Sequence, residues 1–328
     1  MICRSAVVFA VVLVGVAGAP AAPQQVIRSG VDAVTIDVSV TQRNRPVEGL
    51  AARDFELTDN GVRQTILDVS RDTLPIDVTL VVDMSGRGVL QPSLVAGVNR
   101  VLKSLRPGDR ARIVTFRSHV REVAALAEAG SLAPLEIGPG VYYAVSPSGA
   151  TACYDAVALS ILTPPAPGRR QLAIVFSAGR DTSSFLAPSD LLAIARRSGP
   201  MVSVVHASFD LTPGDEAPEG AEPLATPVDP LAITPRFFEE LADATGGRVE
   251  VVRPFRVQRH DTKSFSFRWQ LVVGLEDSFV RALDDFRSAY VLRYTPEGVG
   301  TGGWHEVAVR VTKAGGQYEV RARKGYER

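Results

Sequence analysis

The stretch Val78-Thr79-Leu80-Val81-Val82-Asp83-Met84-Ser85-Gly86-Arg87 changes character at its midpoint. Its first half is an almost unbroken apolar run, the pattern of a strand buried on both faces of a parallel sheet. Its second half is acidic, hydroxylic and glycine-containing, which reads as a loop leaving the carboxyl end of that strand. Similar apolar runs recur at Ala111–Phe116, Leu172–Phe176, Val202–Val205 and Val249–Val252. Between them lie helical patterns at Leu90–Leu105, Ala152–Leu162, Leu191–Arg197 and Arg236–Ala244. Strands alternating with helices predict an α/β fold, a doubly wound and mostly parallel sheet, over residues 74–252. Gly199 and Pro200 close one of these helices, and the Pro- and acid-rich stretch Pro213–Pro235 reads as a surface insertion.

Outside this unit the period is different. Val34, Ile36, Val38 and Val40 alternate with Thr35, Asp37, Ser39 and Thr41, the pattern of a β-strand. Asp59-Asn60-Gly61 marks a tight turn between Phe55–Leu57 and a returning strand Gln64–Val69. Residues 27–73 are therefore read as an N-terminal β module and 253–278 as an irregular connection. Residues 279–328 are read as a short helix, Phe279–Arg287, followed by strands at Tyr290–Tyr294, Trp304–Val311 and Gln317–Ala322. The economical packing joins both ends of the chain in one accessory β-domain, because each leaves an open edge. Tyr290, Tyr294, Trp304 and Tyr326 fall in or beside these strands and would fill its core.

The chain begins with one charged residue, Arg4, before an apolar run from Ala6 to Ala17. Such a run suits a secretory signal peptide and is too short to span a bilayer. Ala19-Pro20-Ala21 offers the cleavage site, so residues 1–21 are expected to leave and the mature chain to be secreted or periplasmic. No later stretch is apolar enough for a membrane helix. Cys3 would leave with the leader, so Cys153 alone remains and the core must hold without a disulfide. Lys plus Arg equals Asp plus Glu, 36 each, so no basic excess points to nucleic acid. The 45% apolar content supports a packed core in a chain of this length.

The loop after the first buried strand lies where open α/β sheets bind ligands, outside the carboxyl ends of the strands. Three segments of this kind stand in order. Val82-Asp83-Met84-Ser85-Gly86-Arg87 resembles the D-x-S-x-S opening of the metal-ion-dependent adhesion site of von Willebrand factor type A domains. Ser148-Gly149-Ala150-Thr151-Ala152-Cys153-Tyr154-Asp155-Ala156 is similar to that family's threonine segment, and Val175-Phe176-Ser177-Ala178-Gly179-Arg180-Asp181-Thr182 to its S-D-G-x-D segment. The flanks, Pro46 to Gly61 and Arg321 to Tyr326, resemble exported von Willebrand A-related proteins best known from acidobacteria. The resemblance implies a rim of Asp83, Ser85, Arg87, Thr151 and Asp181 that binds a protein partner, with Asp83, Ser85 and Thr151 as metal ligands.

The ion such a site takes is Mg²⁺, which wants about six oxygens near 2.0–2.1 Å and keeps several waters. Here Arg87 stands where the resemblance expects a second Ser, and Ala178 where it expects an Asp. One hydroxyl and one carboxylate are missing, and a permanent cation is added. Like charges about 4 Å apart repel by roughly 1 kcal/mol in water and several-fold more where water is scarce. The metal site thus reads as degenerate, although Asp181 could turn inward as a substitute. Arg87 could itself fork onto a partner carboxylate.

Each residue also has a structural reading. Thr151 could cap the helix that follows it, with Asp155 favoured by the helix dipole, and Ser85-Gly86 could only shape a turn. Cys153 sits among apolar helix residues as a small hydrophobe. His119, His206, His260 and His305 show no metal-ligand spacing, and no phosphate loop or nucleophile elbow is present. The expectation is an exported binding or scaffold protein, not an enzyme. The alternatives are a structural cell-envelope module with an inactive rim and, from another class, a hydrolase using Ser85 or Ser177 with His206. The partner and the oligomeric state are not legible.

Overall fold

The computed structural model describes residues 33–71, 74–85, 91–136, 150–164, 166–208, 221–223, 233–253, 255–258, 267–270 and 275–328. The leader segment and Arg87 lie outside these. In chain order the elements begin with β1 (Val34–Gln42), β2 (Arg45–Pro46), β3 (Phe55–Asp59), β4 (Val62–Gln64), β5 (Ile66–Arg71) and β6 (Ile76–Asp83). There follow α1 (Gln91–Ser104), β7 (Arg110–Phe116), β8 (Val120–Glu128), α2 (Cys153–Ile161), β9 (Arg170–Ser177), α3 (Pro188–Arg197) and β10 (Met201–Ala207). Next come β11 (Ala221–Pro223), α4 (Pro235–Thr245), β12 (Val249–Val252), β13 (Phe255–Gln258), β14 (Phe267–Gln270) and α5 (Leu275–Ser288). The chain closes with β15 (Tyr290–Tyr294), β16 (Trp304–Val311), β17 (Glu319–Ala322) and β18 (Gly325–Glu327).

The apolar run at 76–83 is explained by its position. β6 is central in a six-stranded sheet of order β12-β10-β9-β6-β7-β8, and all eight of its residues are buried. Every pairing in this sheet is parallel except that of β7 with β8. On one face Ile76, Val78, Leu80 and Val82 pack with Leu94, Val98 and Val101 of α1 and with Phe279, Leu283 and Phe286 of α5. On the other, Val81, Ala173 and Val175 pack with α2, α3 and α4 through Val157, Leu191, Phe238 and Leu241. A strand covered on both faces has no polar side, so it loses the alternation of a half-exposed strand.

Two of the sequence boundaries move. α5 packs into the core of the parallel sheet, so the helix read with the C-terminal strands belongs by its contacts to the α/β unit. The connection read as irregular contains β13 and β14, which form a three-stranded antiparallel sheet with β11. The antiparallel edge strand β8 had no reading of its own.

The remaining strands form two antiparallel sheets, β17-β1-β15-β5 with β2 on its margin, and β18-β16-β3-β4. β1 lies between β15 and β17, with Ile36 opposite Leu292 and Val40 opposite Val320. Ile36, Val38 and Val40 meet Phe55, Leu57, Tyr290, Leu292, Tyr294 and Val307 in one apolar cluster. Asn60 and Gly61 both have positive φ, 47° and 78°, in the two-residue turn that joins β3 to β4, which is why the turn carries Asn-Gly. The polar face of β1 is turned to the α/β unit. Asp37 accepts from Nε of the buried Arg170 at 2.7 Å, and Ser39 donates to Asp285 of α5 at 3.4 Å.

Candidate functional site

The strand order places the site before any side chain is considered. β6 is followed by α1 on one face, whereas its neighbour β9 is followed by α3 on the other. Loops leaving adjacent parallel strands for opposite faces open a crevice between their carboxyl ends. Asp83 ends β6 and Ser177 ends β9, so the two stand on either side of it.

Asp83 is 1% exposed. Its Oδ1 accepts the Ser85 amide at 2.9 Å and, more closely, the Ser85 hydroxyl. Its Oδ2 accepts the Ala178 amide at 3.1 Å and the Ser177 hydroxyl at 3.4 Å. Burial pushes the Asp83 carboxyl up, and these neutral donors pull against that. Ser177 Oγ also accepts the Gly179 amide at 3.0 Å and faces the Cys153 thiol at 3.7 Å. Burial, then the nearby Asp83, pushes the Cys153 thiol up and keeps it protonated, as suits a packed hydrophobe.

Thr151 stands at the same carboxyl edge. Met84 N–H donates to Phe116 O, Arg117 Nε to Met84 O, and Ala152 N–H to Arg117 O, at 2.9, 2.9 and 2.7 Å. This chain ties the Asp83 loop, the end of β7 and the Thr151 segment together. The N-cap of α2 is Ala152, so the buried Thr151 is not the cap. Its carbonyl accepts the Thr182 and Ser183 amides at 2.8 and 3.0 Å, and its amide donates to Thr182 Oγ1 at 2.9 Å.

Asp181 is engaged with the start of α2 and with its own loop. It accepts the Tyr154 amide at 2.9 Å, the Ser184 hydroxyl at 2.6 Å and the Ser184 amide at 3.2 Å. The first of these is an amide in the opening turn of α2, which has no partner within its own helix. Asp181 therefore caps α2 from another loop. Burial first, then Asp181, pushes the Tyr154 hydroxyl up to about 12. His206, 4% exposed, lies beneath the rim with Nδ1 3.3 Å from the main-chain oxygen of Ser177 and its ring against Phe238.

Around the Asp83 carboxylate stand the Ser85 and Ser177 hydroxyls and the Ala178 amide, with Thr151 at the same edge. Among the described residues no group of three or more His, Cys, Asp or Glu is placed to hold a metal. Hard divalent ions such as Mg²⁺ are held through oxygens and keep several waters, and of the protein oxygens here only the Asp83 carboxylate is charged. The loop from Ser177 to Ala187 is also held by Asp155, read from sequence only as favoured by the helix dipole, and by Ser184, which had no reading. Their signal in the sequence is only a density of Ser, Thr and Asp.

No family model matches the chain, and no curated protein matches it. Solved structures similar to it include several von Willebrand factor type A domain proteins at low identity. A von Willebrand factor type A protein from Catenulispora acidiphila is 13% identical with a TM-score of 0.39, covering 89% of this chain and 72% of that one. A paralogue of ArnB, VWA2 from Sulfolobus acidocaldarius, is 10% identical with a TM-score of 0.39, covering 89% and 75%. Proximal thread matrix protein 1 of the mussel byssus is 15% identical with a TM-score of 0.32 over 43% of this chain. The match spans 38% of the mussel protein's length.

Proposed function

We propose that this chain is an exported binding or scaffold protein that presents the carboxyl rim of its α/β sheet to a protein partner. The observation that carries the reading is Asp83, a buried carboxylate kept at a crevice between oppositely directed loops and stabilised there only in part by neutral donors. A buried charge without full compensation costs stability, and such costs concentrate at functional sites. In this reading Asp83, Ser85 and Thr151 form the contact rim; Arg87, assigned to it from the sequence, lies outside the described residues. Asp181 supports it from behind. The metal site is degenerate, Mg²⁺ binds weakly if at all, and the protein is not an enzyme. Residues 1–21 direct export to the periplasm or medium, and no helix among the described residues is long and apolar enough to cross a membrane.

The test is affinity capture from the envelope and medium of producing cells. One bait is the mature chain and the other carries Asp83→Ala with Ser85→Ala. At least one protein held by the first and lost by the second is the expected result. Equal capture by both would retire the rim and favour a structural module whose contacts lie elsewhere.

A further inference from the structure

Beside the rim, the loop between β9 and α3 carries a phenylalanine whose exposure its surroundings do not explain. Phe185 is 99% exposed, the highest value among the described large hydrophobic residues. Its backbone is not loose. Four consecutive amides, those of Ser184, Phe185, Leu186 and Ala187, each donate to a carboxylate: Asp181 at 3.2 Å, Asp155 at 2.9 and 3.1 Å, and Asp190 at 3.2 Å. Just before them, Thr182 and Ser183 are fastened to Thr151. Ser184 Oγ closes the set by accepting the Asp155 amide at 3.1 Å while donating to Asp181. The ring therefore projects into water from a main chain that is fastened on both sides.

The surface around the ring has a chemistry. Asp155, Asp181 and Asp190 lie behind the ring, and amide donors satisfy their hydrogen bonding without cancelling their charge. A rigid aromatic knob costs little ordering on binding, and anchors of this type dominate interface energies. A second copy of the chain would bring the same three carboxylates against their equivalents across a two-fold axis, which is unfavourable.

We propose that Phe185 is the anchor of a docking surface for a different protein, entering an apolar pocket whose rim carries Lys or Arg side chains facing Asp155, Asp181 and Asp190. The assignment rests on the proposed rim function for the side of the molecule that the partner approaches. The test places p-benzoylphenylalanine at position 185 of the full chain, with the same probe as control at Ser118, an exposed residue just beyond the carboxyl end of β7, and irradiates producing cells. The expected result is a cross-link from 185 to another protein. That protein, once purified, should bind the wild-type chain at least tenfold more tightly than Phe185→Ala, and should lose affinity as salt is raised. The ring makes no buried contact, so an unchanged thermal melt for Phe185→Ala excludes misfolding as the cause. A cross-link from 118 without one from 185, a cross-link from 185 only to this chain, or equal affinity for Phe185→Ala would each overturn the anchor while leaving the rim reading in place. Silence at both positions would remove both.

Discussion

His206 occupies the space that a side chain on Gly179 would need. A Cβ at position 179 would lie 2.4 Å from His206 Cε1, and Gly179 itself has φ +76°. The residue after the Asp83–Ala178 contact is therefore glycine for two separable reasons, backbone conformation and a neighbouring ring. Gly179→Ala should destabilise the chain by about 2–3 kcal/mol, of which about 1 kcal/mol is the left-handed backbone. Combining it with His206→Ala should relieve the collision but not the backbone cost. In urea denaturation the double substitution should then be about 1 kcal/mol less damaging than the sum of the two. Strict additivity would show that the ring yields freely.

The metal reading gives a second expectation. Thermal melts of the mature wild-type chain should move little with millimolar Mg²⁺, because position 178 offers a methyl and Asp181 is committed to Tyr154 and Ser184. Arg87→Ser with Ala178→Asp should gain roughly 2.7 kcal/mol at a hundredfold excess over Kd. A large shift in the wild type would mean that the site is whole. No shift in either would leave Asp83, Ser85 and Thr151 as loop-shaping residues.

Both ends of the chain share their strands, so truncation at one end should be felt at the other. Removing residues 304–328 strips β3 of its pairing with β16 and β1 of its pairing with β17. It also takes His305 and Tyr326 from Asp59, which is fully buried and would keep only the Tyr294 hydroxyl. Limited proteolysis should then cut within residues 34–71 of the truncated chain and spare them in the whole one. Unchanged resistance would contradict the shared core.

Asp77, at the start of β6, gives the pH dependence. Its carboxylate accepts from Arg110 at 2.8 and 2.6 Å and from Arg169 at 2.6 Å. Burial works to raise its pKa, but the two guanidiniums outweigh that and hold it below the usual carboxylate range. A folded-state pKa that is depressed contributes stability above the unfolded value, near 3.9, and loses it as pH falls through the folded one. Asp77→Asn should cost about 2 kcal/mol at pH 7, less than a fully buried pair because both arginines are partly exposed. In chemical denaturation the gap to wild type should close below about pH 4. A gap that is constant with pH would assign the loss to packing.

The readable parts of the fold are those in which burial acts on contiguous residues. β6, β9 and β10 announce themselves because a strand covered on two faces must be apolar throughout, and β1 because one of its faces is apolar. β8 escaped because it is an edge strand whose Arg121, Glu122 and Glu128 break any apolar pattern. α5 was visible as an amphipathic helix, but nothing local says which sheet its Phe279 and Phe286 cover.

The candidate site divides in the same way. Asp83, Ser85 and Thr151 could be picked out from short motifs, since each sits just beyond a strand or just before a helix that its neighbours specify. That Asp181 caps α2, and that Asp155 fixes the Phe185 loop, depends on pairs 27 to 31 residues apart. By itself, then, the sequence determined the strands, the helices and the loops on which polar groups are displayed, because periodicity and propensity act between near neighbours. Only the tertiary structure decided which loops share a crevice and which carboxylate serves which amide, because a hydrogen bond depends on distance in space and leaves no period in the chain.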